Sequence, residues 1–181
     1  MIKKNQLIDY LPLAFWFGVF VLLKLYHREA ATDGLLYLLQ PIAFFVSQFT
    51  GLEFLYLQGQ GYLNADAAIL IDKSCSGMNY LIILWTLACF VAWSWKLQSL
   101  LKIALFSVFL FLAYLMAILA NCSRIIQIIW LGKLYPNSSF LHSPLGHEMQ
   151  GVLVYFTLLV AFYFILRSLN PRNQINYGKN I

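Results

Sequence analysis

Three residues far apart in the chain carry groups that could do covalent chemistry together. Cys75 lies in Asp72-Lys73-Ser74-Cys75-Ser76-Gly77-Met78-Asn79-Tyr80, Arg124 in Ala120-Asn121-Cys122-Ser123-Arg124-Ile125, and His147 in His142-Ser143-Pro144-Leu145-Gly146-His147-Glu148. A cysteine attacks as its thiolate, and a nearby cation favours that form. An arginine keeps its charge near lipid and can hold a thiolate or a developing oxyanion. A histidine can take the thiol proton and return it to a leaving amine. The three types together describe nucleophilic acyl chemistry.

Each also has a plainer reading. Cysteine is often a small hydrophobe, although Lys73, Ser74, Ser76 and Gly77 describe an apolar pocket poorly. Arg124, followed by Ile125-Ile126-Gln127-Ile128-Ile129-Trp130, can snorkel to lipid phosphates. On a continuing helix Asn121 shares a face with Arg124, so its amide could steer the guanidinium. His142 competes with His147 for the same role, and Glu148 fits a cap on the following helix better than a partner for His147. Cys89, inside an apolar run, reads as packing. A metal site built from His142, His147, Glu148 and Cys75 is disfavoured, because the histidines do not share a helix face and Pro144-Leu145-Gly146 between them reads as a loop. Neither a metal nor another cofactor is expected, and three cysteines are too few for a disulfide framework.

The elements that must position these groups are membrane spans. With 61% apolar, 17% aromatic and 10% charged residues among 181, the chain is far from a water-soluble domain, whose charged share is about 25%. It reads as an all-α polytopic membrane protein, one integral-membrane domain over 1–181. The net charge of +5 comes from twelve Lys and Arg scattered singly. That pattern suits anionic lipid heads, with the bilayer as partner and no nucleic acid.

A span needs about 20 mostly apolar residues, and about five segments approach that: Leu7 to Tyr26, Leu35 to Phe49, Met78 to Trp95, Ile103 to Ala120, and Gly151 to Leu166. The first starts like a signal peptide, but its length and lack of a small-residue cleavage site make it a retained span. The second is the weakest, with Gln40 and Pro41 inside it and a kink expected at Pro41. Glycines 51, 59 and 61 among short β-favouring runs predict a small hairpin-like cap at the outer membrane surface. Lys96 and Lys102 in the turn after the third span, with Arg167, Arg172 and Lys179 in the tail, put those ends in the cytoplasm. The lip carrying Cys75, the end of the fourth span and the start of the fifth then share the outer face. Lys3 and Lys4 oppose the outward N-terminus that five spans require, so that end stays unassigned.

On these residues the chain resembles the exosortase and archaeosortase family of integral-membrane cysteine transpeptidases. The shared pattern is Cys75-Ser76-Gly77 opening one span, Asn121-x-x-Arg124 closing the next, and His147-x-x-x-Gly151 opening a later one. The resemblance covers roughly residues 55 to 165. Many relatives are longer, and the short exosortase K type is nearest in size; Cys122, inside the Asn-x-x-Arg motif, is not required by the pattern.

The resemblance implies an enzyme that cleaves C-terminal sorting tails of exported proteins, each made of a short motif, a hydrophobic span and a basic end, at the extracytoplasmic side of a prokaryotic plasma membrane. Cys75 would form a thioester, Arg124 would hold the oxyanion, and His147 would act as acid and base. Asn121 would support Arg124, and Gly77 would keep the approach to the sulfur open. The acyl group would pass to an acceptor that the sequence does not name, and the sequence assigns no oligomeric state. Two other classes compete: a membrane thiol oxidoreductase pairing Cys75 with Cys122, and a non-catalytic membrane assembly subunit.

Overall fold

In lipid every backbone N–H and C=O must be satisfied within the protein, so long apolar runs fold as helices. The computed structural model describes residues 4–95, 97–136, 138 and 143–169. Helix α1 is Lys4–Glu29, α2 Leu36–Thr50, α3 Met78–Trp93, α4 Ser99–Leu134 and α5 Pro144–Ser168. Strands β1 (Leu55–Leu57), β2 (Gly61–Asn64) and β3 (Ile69–Ile71) lie between α2 and α3, and single 3-10 turns at Thr32–Leu35 and Lys73–Cys75 precede α2 and α3. This is the polytopic α-helical membrane architecture the composition requires.

Among the described residues, four segments are long and apolar enough to cross a membrane: Tyr10–Glu29, Lys73–Trp93, Ser99–Leu134 and Glu148–Ser168. The remaining expected span, the second, is α2, whose 15 residues reach only about 22 Å against a hydrocarbon core of about 30 Å. It runs through Pro41 and stops at Gly51, which takes a left-handed φ of 71° and donates its N–H to the Ser47 carbonyl at 2.9 Å. Leu38, Leu39, Ile42, Ala43 and Val46 are buried on it while Phe44, Phe45 and Phe49 stand exposed, so one face packs on the protein and the other is left open and apolar.

The chain forms two compact units. The first gathers α1 to Arg28, α3 from Leu81, α4 to Tyr114 and α5 from Leu159. In it the buried Trp85 indole donates to the Phe106 carbonyl at 2.8 Å. Lys102 donates to the Trp93 carbonyl at 3.1 Å and stands 4.8 Å above the Trp93 ring, closing the C-terminal end of α3.

The second unit gathers Glu29–Tyr80, α4 from Leu115 and α5 up to Leu158. It contains the cap, which is a three-stranded antiparallel sheet in the order β1-β2-β3 rather than a hairpin. Tyr56 pairs with Tyr62 and Leu63 with Leu70. Buried Asn64 ties the sheet together, its amide donating to the Glu53 carbonyl and its oxygen accepting from Ala67 N–H, each at 2.7 Å. The Asp33 carboxylate accepts from the Tyr56 hydroxyl at 2.9 Å and from Gly59 N–H at 2.8 Å, which moors β1 to the turn before α2.

Candidate active site

The site is built within the second unit, beginning where β3 ends. Asp72 accepts from Ser74 N–H at 2.9 Å and from the Ser74 hydroxyl at 2.6 Å, closing the 3-10 turn that carries Cys75. Cys75 N–H is held by the Asp72 carbonyl at 2.9 Å, and its half-buried sulfur lies 3.8 Å from Ser74 Oγ. With the Ser74 proton committed to Asp72, the thiol hydrogen is the one left to lie between sulfur and oxygen. Buried Ser76 accepts from Met78 N–H at 3.4 Å, the first residue of α3.

Between them Gly77 has φ 69°, a left-handed turn that lets the chain reverse into α3. The place of its missing Cβ is taken by the Asn121 carboxamide, whose Cγ would stand 3.0 Å from such an atom. The sequence reading gave Gly77 the task of keeping the sulfur accessible. The structure gives it another: the Cys75 turn packs its backbone directly on Asn121 of α4.

Asn121 is itself buried, and α4 does not end there. The helix continues to Leu134, so Asn121 and Arg124 stand in its interior instead of closing it. Asn121 Nδ2 donates to the Ala117 carbonyl at 2.8 Å, and its Oδ1 accepts from the Tyr155 hydroxyl at 2.7 Å. Arg124 Nη1 donates to the same hydroxyl oxygen at 3.4 Å. Asn121 therefore meets Arg124 through Tyr155, and not directly as the spacing on one helix suggested. Arg124 Nε is buried without a hydrogen-bond partner and would stand 3.2 Å from a Cβ at Gly151, so the absence of a side chain at Gly151 is what seats the guanidinium against α5. Tyr80 of α3 stacks on Tyr155, with ring centroids 4.7 Å apart, and donates to the Tyr155 carbonyl at 3.1 Å.

The last element, α5, begins earlier than its apolar run suggested. Ser143 Oγ accepts from Gly146 N–H at 3.1 Å and Pro144 is the first helical residue. Pro144-Leu145-Gly146, read as a loop, is thus the first turn, and Ser143 holds the capping place expected of Glu148, which is exposed one turn further on. His147 lies near the start of α5, and His147, Gly151 and Tyr155 recur every fourth residue along one stripe of it. His142 lies outside the described residues.

The polar chain thus joins Gly77, Asn121, Tyr155, Arg124 and Gly151. Cys75 stands at its edge, two residues before Gly77, and no hydrogen bond joins it to Arg124 among the described residues. Tyr80 and Tyr155 escaped the sequence reading, although the fourfold spacing from His147 through Gly151 to Tyr155 was visible. The oxidoreductase alternative finds no support in Cys122, a free thiol that is buried and faces the Ile42 carbonyl of α2 at 3.8 Å.

The structure thus links the turn after Cys75 to Arg124 and to the α5 helix on which His147 lies. Residues 6–164 match the transmembrane exosortase family (Exosortase_EpsH), and the chain belongs to it. Membership carries a membrane transpeptidase-type role in general terms. No curated protein and no solved structure matches the chain significantly.

Proposed function

We propose that this chain is a membrane-embedded cysteine peptidase and transpeptidase that cleaves the C-terminal sorting tails of exported proteins. The observation that carries the reading is the continuous contact from the glycine after Cys75, through Asn121 and Tyr155, to Arg124 and the glycine one turn beyond His147. The substrate is a protein ending in a short motif, a hydrophobic span and a basic end, its span lying in the bilayer and its scissile bond at the extracytoplasmic side of a prokaryotic plasma membrane.

Cys75 Sγ attacks the scissile carbonyl carbon while His147 takes the thiol proton. The carbonyl oxygen becomes an oxyanion, which the Arg124 guanidinium neutralises. As the tetrahedral centre collapses, the C–N bond breaks, His147 gives the proton to the leaving amine, and a thioester on Cys75 remains. An acceptor amine then attacks the thioester and restores the thiol; water in its place makes the reaction a simple proteolysis.

The test co-expresses the chain with a reporter ending in such a tail and follows it by size in the membrane fraction. Wild type shortens the reporter. Cys75→Ser leaves it full length and without covalent adduct, and Arg124→Ala and His147→Ala slow processing at least about a hundredfold. Equal processing by Cys75→Ser overturns the mechanism.

A further inference from the structure

The Tyr155 hydroxyl has one proton and two lone pairs, and its neighbours leave a single way to use them. Asn121 Nδ2 is committed to the Ala117 carbonyl, which can only accept, so Asn121 presents Oδ1 to Tyr155. That oxygen in turn can only accept, so the tyrosine proton lies on it, and the phenolic oxygen is left to receive Arg124 Nη1. The direction runs from Arg124 to Tyr155 to Asn121 to Ala117 and cannot be reversed, because a guanidinium has no acceptor.

The ring that carries this hydroxyl is itself held. It stacks on Tyr80, with the planes 25° apart, and the Tyr80 hydroxyl is fixed on the Tyr155 carbonyl. Arg124 is therefore bracketed by two residues one turn apart on α5: Gly151, against Nε, and Tyr155, against Nη1. An arginine on an apolar membrane helix otherwise snorkels towards lipid phosphates, and its side chain carries about 2 kcal/mol of rotamer entropy to be overcome. Among the described contacts the Tyr155 hydroxyl is the hydrogen-bonding group that draws it back.

We propose that Tyr155 is a positioning residue of the transpeptidase site: through its hydroxyl it aims Arg124, with Asn121 as its anchor. The assignment rests on reading Arg124 as the group that meets the oxyanion. Tyr155 itself touches no reacting atom.

Tyr155→Phe keeps the stacked ring and removes only the oxygen. In full-length protein in membranes, with the tail-bearing reporter as substrate, this variant lowers kcat about tenfold to a hundredfold. KM and the rate of Cys75 alkylation by iodoacetamide stay at wild-type values. Modification of Arg124 by phenylglyoxal, followed by peptide mass, becomes several-fold faster because the side chain is released. A wild-type kcat in Tyr155→Phe overturns the proposal, and so does a parallel fall in kcat, alkylation rate and folded yield, which marks a general structural role. Cys75→Ser runs beside it: if that variant is inactive while Tyr155→Phe is unimpaired, only the positioning role fails. If Cys75→Ser still processes the reporter, the transpeptidase reading fails with it.

Discussion

At Gly77 a side chain would meet two obstacles, a left-handed φ of 69° and the Asn121 carboxamide already in the space. The conformational cost is about 1–2 kcal/mol, and displacing a packed neighbour adds about 1–3 kcal/mol. Gly77→Ala is therefore expected to lower thermal stability in detergent and abolish reporter processing together. Gly151 has ordinary helical φ and only a tight approach to Arg124, so Gly151→Ala should leave the melting temperature nearly unchanged while kcat falls. Cys122→Ser, whose side chain faces the Ile42 carbonyl and makes no hydrogen bond to the polar chain among the described residues, should process the reporter at the wild-type rate; loss of activity there would revive a redox role. The reactive types and their glycines were legible because each stands in a short local pattern. The route from Asn121 to Arg124 was not, since spacing on a helix says which residues share a face but not which carbonyl takes the amide, and here Ala117, one turn back, does.

Helix ends were read best where apolar runs coincide with caps and worst where they do not. Ser143-Pro144 is a helix-start signal hidden before a stretch of mixed polarity, and following hydropathy alone put the start of α5 at Gly151. For α2 hydropathy misled the other way, because a short helix with one packed apolar face and exposed aromatics on the other is as apolar as a span while too short to be one. The cap offers an element-scale test. The hydrogen bond to Asp33, reinforced by desolvation and by the carboxylate's charge, raises the Tyr56 phenol above its ordinary value of 10.0. A raised folded-state value means that this contribution is whole below the unfolded value and is lost as pH climbs through the folded one. Nicking near Gly59 by an alkali-tolerant protease should thus increase between roughly pH 8 and roughly pH 11 in wild type. Asp33→Ala should be nicked readily at both.

Over the whole molecule, the apolar surface left open is what a bilayer solvates. Nearly all of the α1 span lies open, with Phe17 and Leu22 exposed, and Phe90, Phe111, Phe156 and Phe164 are exposed on the other spans. The Lys and Arg distribution proposes an orientation with Cys75 outside, and labelling of intact cells tests it. A membrane-impermeant maleimide should reach half-buried Cys75 from outside, whereas Cys89, 4% exposed within α3, stays unlabelled until the protein is denatured. Labelling of Cys75 only after lysis would reverse the assigned sides.

Helix α4 runs unbroken from Ser99 to Leu134, with Lys102 near one end and Arg124 well short of the other. The 22 residues from Lys102 to Arg124 rise about 33 Å, close to the thickness of the hydrocarbon core. The helix is thus a gauge with its mark at the guanidinium. On the proposed mechanism a bond to be cut would have to be delivered at that height, and the span of a tail-bearing substrate would fix how high its motif can stand. Three extra residues between motif and span, extended, would lift the bond by about 10 Å, out of reach of any side chain on the mark. Reporters with spacers of increasing length should accordingly stop being cut at a sharp threshold, and shortening the span by the same rise should restore cleavage.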